Sequence, residues 1–517
     1  MMIKKEYINL LAVILLSFFI NFFVASRGVF PVDTFIHYDS GFRILLGELP
    51  IRDFWIVHGF VIDFIQAFFF RIFGNNWYAY IIHSSIFNSV IVVFTYYVFQ
   101  HLNIRSFFSL ILSICLGFLA YPVSGTPFLD LHSSFFSMLA MYLVFLSIKK
   151  NIQIYWFYSS ILLCFAFFSK QVPAFYVGVV LFLINIYISV LKKSIKPLKY
   201  FFLGGVVFLI FLIIFLYFNN IEIKKFILQI FLFPKSIGLD RYSNYNLGIK
   251  NVFLDYKLIY FLLIPLLTIN FFLLKNKKNY YSSKNFLIFL TITSYIVASI
   301  FHQIYTKNQI YIFFIIPILA GILIHYINIF NFNNQKIFCY LIIFFTLFAT
   351  VKYTIRFDIN RKFHELIYTD ISKAVEAKIM DKKFAGLNWI SPYNSNPIEE
   401  INNIQNFISI IKKEKDNIMV ITEYSFFSSL VEKKLYSPSR TYDDISFPNI
   451  NNKFYEQYKL FLVNKIKDNQ IKKIYFFSKN NNFPEEVIFD YISKNCFEKN
   501  KLNENIMYLK IINCIIF

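Results

Sequence analysis

Residues 200–218 read YFFLGGVVFLIFLIIFLYF, an apolar run without Asp, Glu, Lys or Arg. Wound as a helix at about 1.5 Å per residue, such a run reaches about 30 Å, the hydrocarbon thickness of a bilayer. It reads as a membrane-spanning helix, and that decides the fold class. Comparable runs lie near residues 6–25, 77–100, 106–121, 133–148, 153–169 and 172–191, and again near 257–274, 285–303, 308–328 and 337–354. They predict a membrane all-α module of about eleven transmembrane helices over residues 1–354. The whole chain has 517 residues, 57% hydrophobic and only 16% charged, with a mean hydropathy of +0.55. Soluble domains carry about 25% charged residues. An ordinary cytosolic enzyme, a disordered chain and a small disulfide scaffold are excluded.

Charge divides the chain further. Residues 1–350 hold 26 Lys+Arg against 10 Asp+Glu, while residues 351–517 hold 25 against 20. The second part, 355–517, reads as a water-soluble α/β domain. Ile418–Thr422 and Lys473–Phe477 are short apolar runs suited to buried strands, and Pro397–Lys415 and Asn452–Asp468 have helical periodicity. No GxGxxG or GxxxxGK[ST] motif occurs in this tail, so nucleotide binding there has no support. The net charge of +21 does not point to nucleic acid, because the basic residues of the membrane part sit mostly in short loops. With the N-terminus cytoplasmic, the inside loops carry Arg105, Lys149 and Lys150, then Lys192, Lys193, Lys196 and Lys199, then Lys275, Lys277, Lys278 and Lys284, then Lys336. That is the positive-inside pattern. It places 26–76, 122–132, 219–256, 304–307 and the tail outside. The first helix follows Lys4 and Lys5 and lacks a small-residue cleavage site, so it reads as an uncleaved span. The chain is expected to be an integral, multi-pass membrane protein.

Cys115, Cys164 and Cys339 lie in apolar segments and read as small core residues. Cys496 and Cys514 lie in the tail, where an oxidising compartment permits a disulfide. No CxxC or Cys/His metal spacing appears. No cofactor is called for, and a divalent metal stays open.

The first outside loop, 26–76, is the most informative segment. Of the ten acids in residues 1–350, five fall here: Asp33, Asp39, Glu48, Asp53 and Asp63. The pattern is helical from Thr34 to Leu46 and ends at Gly47. Pro50, Arg52 and Asp53 turn the chain, and Phe60–Phe73 is an amphipathic aromatic helix ending at Gly74. Two interfacial helices flanking a turn hold carboxylates beside lipid headgroups.

This loop, DTFIHYDSGFRILLGELPIRDFWIVHGFVIDFIQAFFFRIFGNNW over residues 33–77, resembles the first extracytoplasmic loop of GT-C glycosyltransferases. More narrowly, it resembles the bacterial branch related to protein mannosyltransferases and the lipid A aminoarabinose transferase (family 39, PMT-like). Gly47, Pro50, Arg52, Asp53, Phe54, His58, Gly59, Phe73 and Gly74 match the pattern. Thr34, where many relatives have Glu, and Phe60, where they have Pro, depart from it. The departure at Thr34 puts a metal-binding acidic pair in doubt.

The resemblance implies a GT-C-like fold and inverting sugar transfer from a polyprenyl-phosphate-linked donor. The acceptor is a lipid, glycan or protein. Membrane lipids are partners and nucleic acid is not. An acceptor hydroxyl must lose a proton as it attacks the anomeric carbon, and Asp33 is the candidate general base. The departing lipid phosphate needs cations or donors, and Arg52 and His58 are candidates. Asp53 reads equally as a base and as a turn cap beside Arg52. Asp39 lies on the opposite face of the same helix as Asp33. Asp130 reads either as a helix cap or as a second acid of the site. Lys170 and Lys307 read either as interfacial anchors or as phosphate contacts. His302 and Gln303 line the cavity or pack. The basic, aromatic loop 219–256 suits anionic headgroups or a solvated loop equally. A lipid-linked-sugar flippase and an O-antigen polymerase or ligase are the alternative readings. The flippase would need ionisable residues near the bilayer midplane, and the spans hold few.

Overall fold

A computed structural model describes residues 2–243, 248–306, 312–331, 333–443, 445–479 and 482–512. The membrane helices are α1 (Met2–Ala25), α4 (Trp77–His101), α5 (Ser106–Leu119), α6 (Leu129–Lys150), α7 (Ile154–Ser169), α8 (Gln171–Leu191), α9 (Lys196–Phe218), α12 (Lys257–Asn276), α13 (Lys284–Thr306), α14 (Ile315–Phe330) and α15 (Gln335–Thr354). Among the described residues ten helical segments are long and apolar enough to cross a membrane, and α7 is apolar but shorter. The protein is an integral, multi-pass membrane protein. The first loop folds as α2 (Pro31–Leu45) and α3 (Val61–Phe73), and α10 (Ile223–Ile227) and α11 (Phe233–Ser243) follow α9. Residues 219–256 thus contain helix, including one π-turn at Leu228–Leu232 and another at Lys250–Leu254.

The chain forms two compact units that interleave along the sequence. The first comprises Met1–Ala25, Ser84–Ile213 and Asn244–Phe363. Lipid supplies no hydrogen bonds, so its polar groups are satisfied helix to helix. Asn88 Nδ2 donates to the carbonyls of Ser17 (2.7 Å) and Gly117 (3.0 Å), and its Oδ1 accepts from the Tyr121 backbone N–H. Helices approach closely where side chains vanish. A Cβ at Gly321 would lie 2.3 Å from Phe99 Cε1, so α14 meets α4 only with glycine there.

The second unit comprises Ser26–His83, Ile214–Ser243 and His364–Phe517. The first loop therefore packs as one body with the tail. Besides the short pair β1 (Val375–Glu376) and β2 (Asn388–Trp389), the tail holds a four-stranded sheet. Its strands are β3 (Ile418–Thr422), β4 (Lys473–Phe477), β5 (Phe497–Lys501) and β6 (Ile506–Ile511), in the order β3-β4-β6-β5. β3 and β4 are parallel, and the other pairs are antiparallel. Both parallel strands fall on the predicted apolar runs, and all five residues of β3 are buried, as a continuous apolar run requires. Helices α16 (Pro397–Lys413), α17 (Phe427–Val431) and α18 (Tyr455–Asp468) accompany the sheet. One core joins Met419, Ile474, Phe476 and Leu462 to Trp55 and Val57 of the loop and to Phe233. Cys496 is disulfide-bonded, and Cys514 lies outside the described residues.

Candidate functional site

In the first unit the charges converge at helix ends. Asp130 sits in the first turn of α6. Its Oδ2 accepts from Lys170 Nζ at 2.6 Å, and its Oδ1 lies 3.3 Å from His302 Nε2. Lys170 occupies the extended break between α7 and α8 (φ −153°, ψ 132°), where its carbonyl accepts from Ser133 Oγ. His302 comes from α13. All three side chains are buried. An ion buried among apolar helices is costly unless paired, and an acid, a lysine and an imidazole satisfy one another here. Next to His302, the buried Gln303 Oε1 has no hydrogen-bond partner among the described residues.

The cluster adjoins an apolar groove of about 570 Å³ formed by α8, α12 and α13. Phe175, Tyr176, Leu263, Leu267, Phe289 and Phe301 contribute to its walls. Tyr176 links the two features, with its ring 5.1 Å from Phe301 and 6.5 Å from His302. A groove with apolar walls suits an apolar chain.

In the second unit, α2 starts at Pro31, whose fixed φ suits the first helical position. The hydroxyl of Thr34 accepts from the Phe30 N–H at 2.9 Å and lies 3.2 Å from His364 Nδ1. Asp33 is half-buried in the first turn, where the helix dipole favours a carboxylate. The segment 388–390 runs beside it: Gly28 N–H donates to Asn388 O and Val29 N–H to Ile390 O, both at 2.9 Å. Beyond that segment, Tyr393 sets its ring 5.6 Å from Phe30.

The other loop acids have separate surroundings. Asp39 lies 3.9 Å from Arg43 Nη1 and lines a polar cavity of about 20 Å³ with Ser428, Ser439, Arg440 and Tyr442, room for about one water. Burial raises its pKa against the opposing effects of Arg43 and Ser428. Asp63 on α3 is fully buried. It accepts from Ser40 Oγ (2.6 Å) and Arg440 Nη1 (2.8 Å), and its Oδ1 lies 2.7 Å from His37 Nδ1. Burial pushes this carboxyl up, but Arg440, His37 and Ser40 together hold it below the usual carboxylate range. Burial lowers His37 in turn, although Asp63 opposes it. Glu48 pairs with Arg43 Nε (3.0 Å) and with Lys465 Nζ (3.7 Å). Burial lowers the Lys465 ammonium to about 8, with Glu48 opposing.

Asp53 Oδ2 accepts from the Leu49 N–H (2.6 Å) and from Arg52 Nη2 (2.7 Å), and Arg52 also donates to the carbonyls of Gly47 and Asn219. That pair closes the turn between α2 and α3. His58 is half-buried, and its carbonyl accepts from Arg440. Lys307 lies outside the described residues. Of the sequence candidates, the structure brings together Asp130 with Lys170 and Arg52 with Asp53, and it keeps Asp33, Asp39 and Asp53 apart in three environments of the second unit. In the sequence His302 reads as lining the cavity or packing, and nothing in it marks Arg440, Tyr393 or Lys465. His302 carries no distinguishing local signal, since His83, His101, His132 and His325 also lie in the membrane helices. For the tail residues no local signal existed, because their partners lie hundreds of positions away. Among the described residues no group of three or more His, Cys, Asp and Glu could hold a metal ion.

Residues 57–218 match the dolichyl-phosphate-mannose-protein mannosyltransferase family. No curated protein matches the chain. The matched stretch contains Asp63, Asp130 and Lys170, while Asp33, Asp39 and Asp53 precede it. Together with the ten apolar helices, the match supports a membrane glycosyltransferase similar to that family.

Proposed function

We propose that the protein moves a sugar from a polyprenyl-phosphate donor to an extracytoplasmic acceptor, with inversion at the anomeric carbon. The acceptor hydroxyl attacks that carbon, the bond to the phosphate oxygen breaks, and Asp33 takes the hydroxyl proton. Polyprenyl phosphate carries negative charge, and within the first unit Lys170 is the cation that binds it. Asp130 pairs with Lys170 when the donor is absent. The observation that carries the reading is the Asp130–Lys170–His302 cluster beside the 570 Å³ apolar groove. Phosphate belongs at the cluster and part of the prenyl chain along the groove. Positive-inside loops and the disulfide-bonded Cys496 support an extracytoplasmic first loop and tail, in a bacterial inner membrane. A flippase would concentrate ionisable groups near the bilayer midplane. Asp130 and Lys170 sit instead at helix ends.

Binding of radiolabelled polyprenyl phosphate to the detergent-purified protein tests the phosphate site. Lys170→Met alone strands a buried carboxylate, so the variant of choice is Asp130→Asn/Lys170→Met. We expect its affinity to fall about tenfold or more, the worth of one charge-assisted contact, with uncharged polyprenol binding unchanged. Equal phosphate affinity in variant and wild type refutes the assignment.

A further inference from the structure

We propose that the helix following α9 lies in the membrane surface beside the end of α9 and binds anionic phospholipid headgroups. By sequence, residues 219–256 suit headgroups and solvent equally; the fold of the second unit separates the two. α10 continues through the π-turn at Leu228–Leu232 into α11 as one rod, Ile223 to Ser243. One face of the rod is held. Phe226, Gln229, Ile230 and Phe233, spaced i, i+3, i+4 and i+7, are buried. The Gln229 amide bonds the Ile56 N–H and the Ile51 carbonyl, and the Phe233 ring lies 5.7 Å from that of Trp55. The opposite face presents Ile223, Ile227, Phe231 and Leu232, all exposed. A helix that is apolar on both faces needs a second apolar surrounding.

The chain before the rod identifies that surrounding. α9 is a membrane helix, and its last residues, Tyr217 and Phe218, are 78% and 77% exposed. The Ile221 N–H donates to the Leu216 carbonyl at 2.9 Å, so the chain folds back on the last turn of α9. The rod starts two residues later, within about 7 Å, a distance no greater than the depth of a headgroup layer. α3 frames the same end. Its flanking Phe60 and its Phe64 pack on Phe215 of α9, with ring centroids 5.8 and 5.1 Å away, and its last turns leave Phe68, Ile72 and Phe73 exposed. Two apolar stripes thus flank the end of a membrane helix, the placement of helices that lie in the interface.

Charge selects the lipid. Residues 219–237 hold Lys224, Lys225 and Lys235 against Glu222 alone. Lys225 Nζ pairs with Glu222 at 2.6 Å. Lys224 and Lys235 are exposed at the two ends of the stripe and pair with no carboxylate among the described residues. Each can lay its aliphatic stem along the apolar face while its ammonium meets a lipid phosphate.

The test uses the full-length protein in vesicles of phosphatidylcholine and phosphatidylglycerol in equal parts. Ile227→Cys, in a Cys115→Ala/Cys164→Ala/Cys339→Ala background, carries a nitrobenzoxadiazole label on the exposed face. We expect quenching by phospholipid with a doxyl group high on its acyl chain and none by aqueous iodide. Doxyl phosphatidylglycerol should reach half-quenching at about fivefold lower content than doxyl phosphatidylcholine, the worth of one lysine at an anionic surface. Lys224→Gln/Lys235→Gln should bring the two lipids together while lipid quenching persists. Quenching by iodide overturns the proposal in favour of a solvated segment, and protection from both quenchers overturns it in favour of a protein partner. Equal half-quenching by the two lipids with the lysines in place overturns the anionic preference.

Discussion

Buried charges in this protein are matched by partners far along the chain. Asp63 meets Arg440 across 377 positions, and the Lys465 ammonium reaches Glu48 and the Asp53 carbonyl from the tail. Lys465 gives the clearest pH signature. Its folded pKa, about 8, lies below the ordinary lysine value of about 10.4. Between those two values the unfolded chain binds the extra proton, so stability rises with pH there and is flat below about 8. The thermal midpoint of wild type should therefore climb relative to Lys465→Met as pH goes from 8 to about 10. Parallel curves for the two proteins would show that the ammonium is not desolvated. None of these pairs was legible in the sequence, because no local spacing encodes a contact over hundreds of residues. What is legible is concentration: five of the ten acids of residues 1–350 fall in the first outside loop.

Among the elements, α2 and α3 follow from punctuation that a reader of the sequence can see. Gly47 and Gly74 both have φ +83°, just beyond the ends of the two helices, a conformation glycine adopts without strain. Strands β3 and β4 were equally readable as apolar runs. Residues 219–256 were not, since helix there depends on tertiary contacts. Gln229, inside the π-turn, accepts from the Ile56 N–H and donates to the Ile51 carbonyl, tying that segment to the first loop. Gly28 shows how an element boundary can be fixed by one position. Gly28→Ala meets both a left-handed φ and the Leu366 side chain, and should cost about 1–3 kcal/mol. Thermal unfolding would register it, together with faster proteolysis between residues 364 and 393. An unchanged midpoint would mean that the 388–390 segment does not lie against Gly28 as described.

For the molecule as a whole, the sequence separates a membrane part from a soluble tail, whereas the compact units interleave: the first loop and residues 214–243 pack with the tail. Composition sees the change in polarity at the end of α15. It cannot see that Trp55, Val57 and Phe233 complete the core of the tail. Sugar transfer by this protein is tested most directly by turnover. Purified wild type and Asp33→Asn are given a panel of polyprenyl-phosphate sugars with membrane extract as acceptor, and released polyprenyl phosphate is measured. Wild type should consume one donor, and Asp33→Asn should be slower by about 10²–10⁴-fold, the usual worth of a general base, at an equal thermal midpoint. Full activity in Asp33→Asn would remove the base assignment, and no release from any donor by the wild type would contradict the transferase itself.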